Sequence, residues 1–337
     1  MAGSDNKKIS GGDLIMSAHW KSSLLAAGTL AIVLGATQAQ VQAQETVKLA
    51  VGQRGNWDTS VSEIGQRAGI FKKYGLVLEI VYTQGAGETQ QAVISGSVDI
   101  GVAAGVMGVL GAYSKGAPVR IIAAETTGAG DLYWYVKSDS PIQSIKDFDD
   151  KTVAYSTNGS STHGVVTAFV KQYGIKPKLT ATGGPPGTLT QVMSGQIDVG
   201  WAAPPFGLDQ LDQKQIRRIV TGNDALAFKT QTIRLNITTV PVLQSRKAMI
   251  DNYMKAYRET VDFMYNNPEG VKIYAQWLGI SEEKAKRTRD DYFAGDAINP
   301  DKIVGLDAIV NDAVDLKFTA TKLTDSQLKE LIQIPPR

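Results

Sequence analysis

Apolar residues recur along the chain with two alternating periods. Val47, Leu49 and Val51 fall on every second position, which predicts a half-buried strand. After the loop Gln53-Arg-Gly-Asn-Trp57, helical spacing begins; Asp58, Thr59 or Ser60 is placed to cap the helix and Gly75 to end it. Strands are predicted at 76–82, 98–102 and 119–124, with helices from Gly87-Glu88 and over 107–114. A second series has strands at 132–136, 151–155, 178–182 and 216–221, and helices over 165–173 and around 206–211. Alternation over 231–240 predicts a strand crossing between the two series. Helices then follow over 248–266, 268–277, 281–292, 301–316 and 325–332.

One stretch occurs twice. Residues 85–105 (GAGETQQAVISGSVDIGVAAG) and 184–204 (GPPGTLTQVMSGQIDVGWAAP) share nine of 21 positions at a fixed offset of 99, among them Ser95, Gly96 and Asp99. Each copy runs loop, short helix, Ser-Gly turn, short strand and small-residue loop. A single repeat at this spacing predicts two similar lobes rather than a solenoid. The fold class is therefore α/β, each lobe a mostly parallel sheet flanked by helices. The lobes are discontinuous: 44–125 with 238–337, and 130–235, with hinge segments near 125–137 and 228–240.

Residues 1–43 carry a leader. Lys21 supplies a basic start, 24–36 form a 13-residue apolar run, and small residues precede cleavage after Ala39 or Ala43. Residues 1–15 read as an over-long start, with Met16 the expected initiator. The run is shorter than the ~20 residues of a membrane span, so the product is expected free in a bacterial periplasm.

From residue 44 onward 32 basic and 31 acidic residues nearly cancel. No strong field exists for nucleic acid or an anionic membrane. The absence of Cys removes disulfides, thiolate metal sites and a Cys nucleophile. Beyond the leader only His163 remains, which weakens hydrolase and metalloenzyme classes; no cofactor and no metal are expected.

Candidate chemistry concentrates at loops opening helices. Asn158-Gly-Ser160-Ser161-Thr162-His163 places hydroxyls and free N–H groups at the positive end of a helix, an anion site by construction. The helix starts at Gly85–Thr89 and Pro185–Thr188 offer the same arrangement. Trp57 and Trp201 fall at strand ends where ligands sit in open α/β sheets, and Ala104 and Pro204 lie in small-residue loops there. Glu88 and Glu125 are candidates for an ammonium group. Arg234, in an apolar strand, needs an anionic ligand or an internal carboxylate.

Ser95-Gly-x-Val-Asp99-Ile-Gly resembles a signature of NMT1-like periplasmic substrate-binding proteins of sulfonate, nitrate and taurine ABC importers. The segments Ser140-Pro-Ile, Lys151-Thr-Val-Ala, Gly159–His163, Gly195-x-Ile-Asp-Val-Gly and Pro205-Phe206 are similar to the same family. The resemblance covers nearly all of 45–337 and implies a two-lobed Venus flytrap, with a ligand between the lobes that is delivered to a membrane permease. It implies ligand contacts at Trp57, Gly87, Ala104, Thr126, Ser160, Ser161, Thr162 and Trp201. Trp201-Ala-Ala-Pro-Pro lacks the acidic residue that relatives often carry there, the partner an amine would need. The expected function is non-enzymatic capture of a small anionic, sulfonate-like solute by a monomer. The alternatives are a binder of a thiamine-pyrimidine precursor or an aromatic acid, and an enzyme on the same fold.

Overall fold

The computed structural model describes residues 44–295 and 297–337; the predicted signal peptide and its cleavage site lie outside the described residues. β1 (Glu45–Gly52) and β2 (Leu76–Thr83) pair in parallel from Glu45 opposite Leu76 to Gly52 opposite Thr83. Between them, α1 (Val61–Arg67) and α2 (Ile70–Lys73) replace one predicted helix, broken where Gly69 turns left-handed. α3 (Ala86–Ile94), β3 (Ile100–Gly105), α4 (Val106–Ser114) and β4 (Val119–Ala124) follow. The next group is β5 (Tyr133–Lys137), β6 (Thr152–Tyr155), α5 (Ser161–Tyr173), β7 (Lys178–Ala181), α6 (Pro185–Met193), β8 (Gly200–Ala202), α7 (Leu208–Asp212) and β9 (Ile216–Thr221). The chain ends with β10 (Arg234–Thr239), α8 (Val240–Ser245), α9 (Lys247–Asn266), α10 (Pro268–Leu278), α11 (Glu282–Tyr292), α12 (Leu306–Asp315) and α13 (Asp325–Leu331).

The first sheet has the order β2-β1-β3-β10-β4. Its β1 is parallel to β2 and β3, whereas β10 runs antiparallel to β3 and β4. The second group contains β8-β5-β9 and β6-β7, joined by a parallel bridge between Val153 and Val199. Read across that bridge, the order is β7-β6-β8-β5-β9, with β5 antiparallel to both neighbours. The two sheets therefore share one plan. In each, the antiparallel strand is reached by crossing from the other sheet.

The repeated segment explains why. Asp99 Oδ2 accepts the Lys48 N–H of β1 at 2.8 Å, and Asp198 Oδ2 accepts the Thr152 N–H of β6 at 2.8 Å. Each aspartate ties the incoming strand of its copy to the strand beside it. Ahead of each, Gly96 and Gly195 turn the chain at φ 75° and 79°, a left-handed conformation that costs other residues a steric penalty.

Two apolar clusters fill the interior. One packs α9 and α10 on the first sheet through Tyr253, Tyr257, Tyr274 and Trp57. The other is built on Trp134, Phe148, Phe169 and Trp201, and it includes Val106, Met107 and Leu110 of α4. The indole of Trp134 donates to the Ala154 carbonyl at 2.8 Å, so its one polar atom is satisfied. The predicted helix over 301–316 begins only at Leu306, because Gly305 before it is left-handed at φ 74° and cannot continue a right-handed helix. α8 was not predicted; Pro241 in its first turn supplies the preset φ that starts it.

Gly96→Ala and Gly195→Ala face the same backbone strain with no atom within 4 Å of the added carbon. Each is expected to cost about 1–2 kcal/mol by urea denaturation, equally in both copies.

Candidate functional site

The carboxyl ends of both sheets open toward one cavity. From the first half come Gly52, Gln53, Asn56, Thr59, Ala86 and Ala103; from the second come Ser156, Ser160, Ser161, Thr162 and Trp201, with Leu132 and Arg234 from the crossing segments. This is the position at which open α/β sheets hold ligands.

Hydroxyls dominate the wall on the side of the second sheet. Ser160 caps α5, its Oγ accepting the His163 N–H at 3.1 Å. Thr162 Oγ1 accepts the Ser156 N–H at 2.9 Å and lies 2.9 Å from both Ser156 Oγ and Ser160 Oγ. The first amides of α5, those of Ser161 and Thr162, have no acceptor within the helix by its geometry. Donors and a helix dipole thus face the cavity together. α6 makes no such contribution, since Pro185 and Pro186 remove two of its first N–H groups.

A buried charge network lies behind this wall. Arg234 donates to Asp58 Oδ2 at 2.8 Å and to Asp131 Oδ2 at 2.7 Å, all three side chains being no more than 5% exposed. Thr126 Oγ1 adds a bond to the same Asp58 oxygen at 3.2 Å. Burial alone would weaken the Arg234 charge, but Asp131 and Asp58 outweigh it and raise its pKa. Burial pushes Asp131 up to about 6 against the pull of Arg234. Glu125 is fully buried, and neither carboxyl oxygen has a hydrogen-bond partner. The Ala103 amide favours its charge without closing a bond of normal geometry. Burial first, and then the Asp58 charge, hold the Glu125 carboxyl protonated well above the usual range, with Arg234 opposing. One guanidinium cannot neutralise three carboxylates, so one of them keeps its proton.

The halves meet in a polar seam. The Gly87 N–H donates to Thr157 Oγ1 at 3.0 Å, and Gln90 Nε2 reaches the Gly159 carbonyl at 3.4 Å. A side-chain carbon at Gly105 would stand 2.5 Å from the Gly159 oxygen and 2.8 Å from the Ser161 nitrogen, so glycine sets how closely the halves approach. Lys284 pairs with Asp209 and Arg287 with Asp212 at the rim, at 2.5 and 2.6 Å. At this separation the cavity measures about 20 Å³, space for a single water. Any organic solute requires the seam to part.

Of the residues expected at the site, Ser160, Ser161, Thr162, Trp201 and Arg234 line the cavity. The others stand elsewhere. Trp57 is fully buried in the first half, edge-on to Tyr274 at 4.9 Å; the short turn over Asp58–Ser60 points Asn56 and Thr59 at the cavity instead. Gly87 belongs to the seam. Glu88 is exposed and accepts the Gln84 N–H at 2.9 Å. Ala104 is buried in β3 and paired with Leu235. Thr126 bonds Asp58, and Pro204 is buried in the loop after β8. Asn158 is exposed and accepts from the Tyr155 hydroxyl at 2.7 Å. His163 stacks on Tyr155 at 4.6 Å, its Nδ1 accepts the Gly159 N–H, and burial lowers its pKa, keeping it neutral. Gln53, Asn56, Thr59 and Ser156 line the cavity and were not singled out in the sequence. Their signal was position alone, in loops leaving the ends of β1 and β6. Among the described residues, no group of His, Asp and Glu is arranged to hold a metal ion.

Two doubly connected α/β sheets around a polar cleft make this a protein of the periplasmic-binding-protein fold. Residues 63–271 match the NMT1/THI5-like family, and the chain belongs to it. It is similar to the 4-amino-5-hydroxymethyl-2-methylpyrimidine phosphate synthase THI5 of Saccharomyces cerevisiae, at 21% identity over 68% of this chain and 70% of that protein. Among solved structures it is similar to the alkanesulfonate-binding protein SsuA from Xanthomonas axonopodis bound to MOPS. That match has TM-score 0.70 and 14% identity and covers 87% of this chain and 99% of SsuA. The periplasmic nitrate-binding protein NrtA from Synechocystis matches with TM-score 0.64 and 14% identity, over 86% of each chain.

The buried acid gives a pH test. The native protein keeps the Glu125 proton that the unfolded chain releases near the ordinary carboxylate range, so this group's contribution to stability is full below that range and falls as pH rises from it toward the raised pKa of the fold. Glu125→Gln is expected to match wild type at pH 4 and to exceed it in urea denaturation at pH 8. A constant difference at both pH values would show that Glu125 is ionised in the fold. For the seam, Gly105→Ala is expected to hold the halves further apart, read as a larger radius of gyration in small-angle scattering.

Proposed function

We propose that the chain is the solute-capturing component of an ABC import system. It holds a small anionic, sulfonate-like solute between its halves and hands it to a membrane permease. The observation that carries the reading is the cavity at the carboxyl ends of both sheets, with Ser156, Ser160, Ser161, Thr162 and the first amides of α5 on one wall. Oxyanions accept several hydrogen bonds at once, and this wall supplies neutral donors in that density. Arg234 is already committed to Asp58 and Asp131, so the solute charge is met by hydroxyls and backbone dipoles. Fold likeness to sulfonate- and nitrate-binding proteins supports the same reading. The predicted leader adds support for a periplasmic location.

Capture requires the seam to open and close about the crossing segments, with the division at 44–125 plus 238–337 against 130–235. The contacts to be broken are surface ion pairs, each worth about 0–1 kcal/mol, and polar bonds at 3.0 and 3.4 Å, each worth about 0.5–1.5 kcal/mol. No chemistry is assigned to the cavity: His163 is stacked and hydrogen-bonded away from it, and Asp58 and Asp131 are bound to Arg234. The likeness to a yeast synthase favours a second reading, in which an enzyme uses the same cleft on a pyrimidine precursor.

A thermal-shift panel of alkanesulfonates, taurine, nitrate and pyrimidines separates these readings. A solute at a hundred times its Kd stabilises by about 2.7 kcal/mol. Ser161→Ala is expected to weaken a bound sulfonate by about 1–3 kcal/mol in calorimetry. A shift with pyrimidines alone, or product formation from them, would replace the sulfonate reading by the second.

A further inference from the structure

A second pocket lies between the halves and shares no lining residue with the polar cavity. Its volume is about 300 Å³, at the lower end of small-molecule sites. Pro185 and Leu189 of α6, Ala202 at the end of β8, and Phe206 form one side; Leu278 and Ile280 of the other half form the opposite side. Phe206 closes it against the first half, its ring 3.0 Å from where a side-chain carbon at Gly55 would stand.

Five polar side chains, Arg54, Tyr135, Asp209, Gln210 and Lys284, break the apolar lining. Tyr135 lines the pocket although it is only 1% exposed. Its ring lies over Gly200, where an added side-chain carbon would meet it at 2.6 Å. Among the described residues no hydrogen-bond partner is found for its hydroxyl, and burial raises its pKa, so it stays a protonated donor. Arg54 is at the mouth. Its guanidinium sits 4.7 Å above the Trp277 ring and donates to the Trp277 carbonyl at 3.1 Å, but among the described residues it meets no carboxylate. The other cation there, Lys284, is neutralised by Asp209. One positive charge therefore remains unmatched beside an apolar chamber with one buried donor.

We propose that this pocket binds a compact, largely apolar acid, its carboxylate or sulfonate at Arg54 and a hydrogen-bond acceptor toward the Tyr135 hydroxyl. The site is independent of what the polar cavity holds. Because its walls come from both halves, an occupant there favours the closed arrangement.

The test is calorimetry on the full mature chain with 4-hydroxybenzoate, benzoate, neutral 4-hydroxybenzamide and methanesulfonate. The expected order is 4-hydroxybenzoate tighter than benzoate, with the amide weakest. Arg54→Ala should weaken 4-hydroxybenzoate about tenfold, and Tyr135→Phe should remove its advantage over benzoate. Leu189→Trp, which fills the pocket from a half-exposed helix position, should abolish binding. Ser161→Ala should leave 4-hydroxybenzoate unchanged while affecting methanesulfonate, so the two sites fail separately. The proposal is overturned if neither aromatic acid binds. It is equally overturned if their binding survives both Arg54→Ala and Leu189→Trp, or disappears in Ser161→Ala.

Discussion

Arg234 between Asp58 and Asp131 is the constraint on which the arrangement rests. The three side chains belong to β10, to the loop after β1 and to the segment leading into β5. One guanidinium therefore joins the first sheet to both crossing connections. Removing either partner from such a buried pair leaves an uncompensated charge, a loss of about 3–5 kcal/mol. The network also explains the neighbouring chemistry. It engages the one cation among the described residues of the cavity wall, and its Asp58 adds to the burial that holds the Glu125 proton.

Around that anchor the two sides of the cleft differ in kind. Behind it apolar packing runs on from one half to the other, with Gly164 of α5 admitting the Phe228 ring and lying near Met107 of α4. At the mouth the halves touch through glycines, polar bonds and ion pairs. Water can replace the second set of contacts at little cost and cannot replace the first. The apolar side is therefore the costlier of the two to separate.

The repeated segment made the two-sheet plan legible, because Ser-Gly turns and the following aspartates fix local structure through the same bonds in both copies. The hydroxyl loop before α5 was legible for a similar local reason: a Ser at the cap and free amides after it follow from sequence. Two proline rings in α6 carried an equally local message against an anion site at Pro185–Thr188. Arg234 announced that it needed a partner, yet its carboxylates stand 176 and 103 residues away, beyond any local pattern. Trp57 and Asn56 could not be told apart for the opposite reason, since a short turn of three residues decides which of two neighbours faces inward.

The crossing of β10 into the first sheet also sets an order of events as the chain is made. β3 and β4 have no common neighbour until Arg234–Thr239 has emerged, by which time the strands of the second sheet are already complete. Through that interval β3 and β4 each lack the neighbour that β10 later supplies, and unpaired strand sides of this kind invite pairing with other chains. The first half therefore stays incomplete until most of the chain has been synthesised.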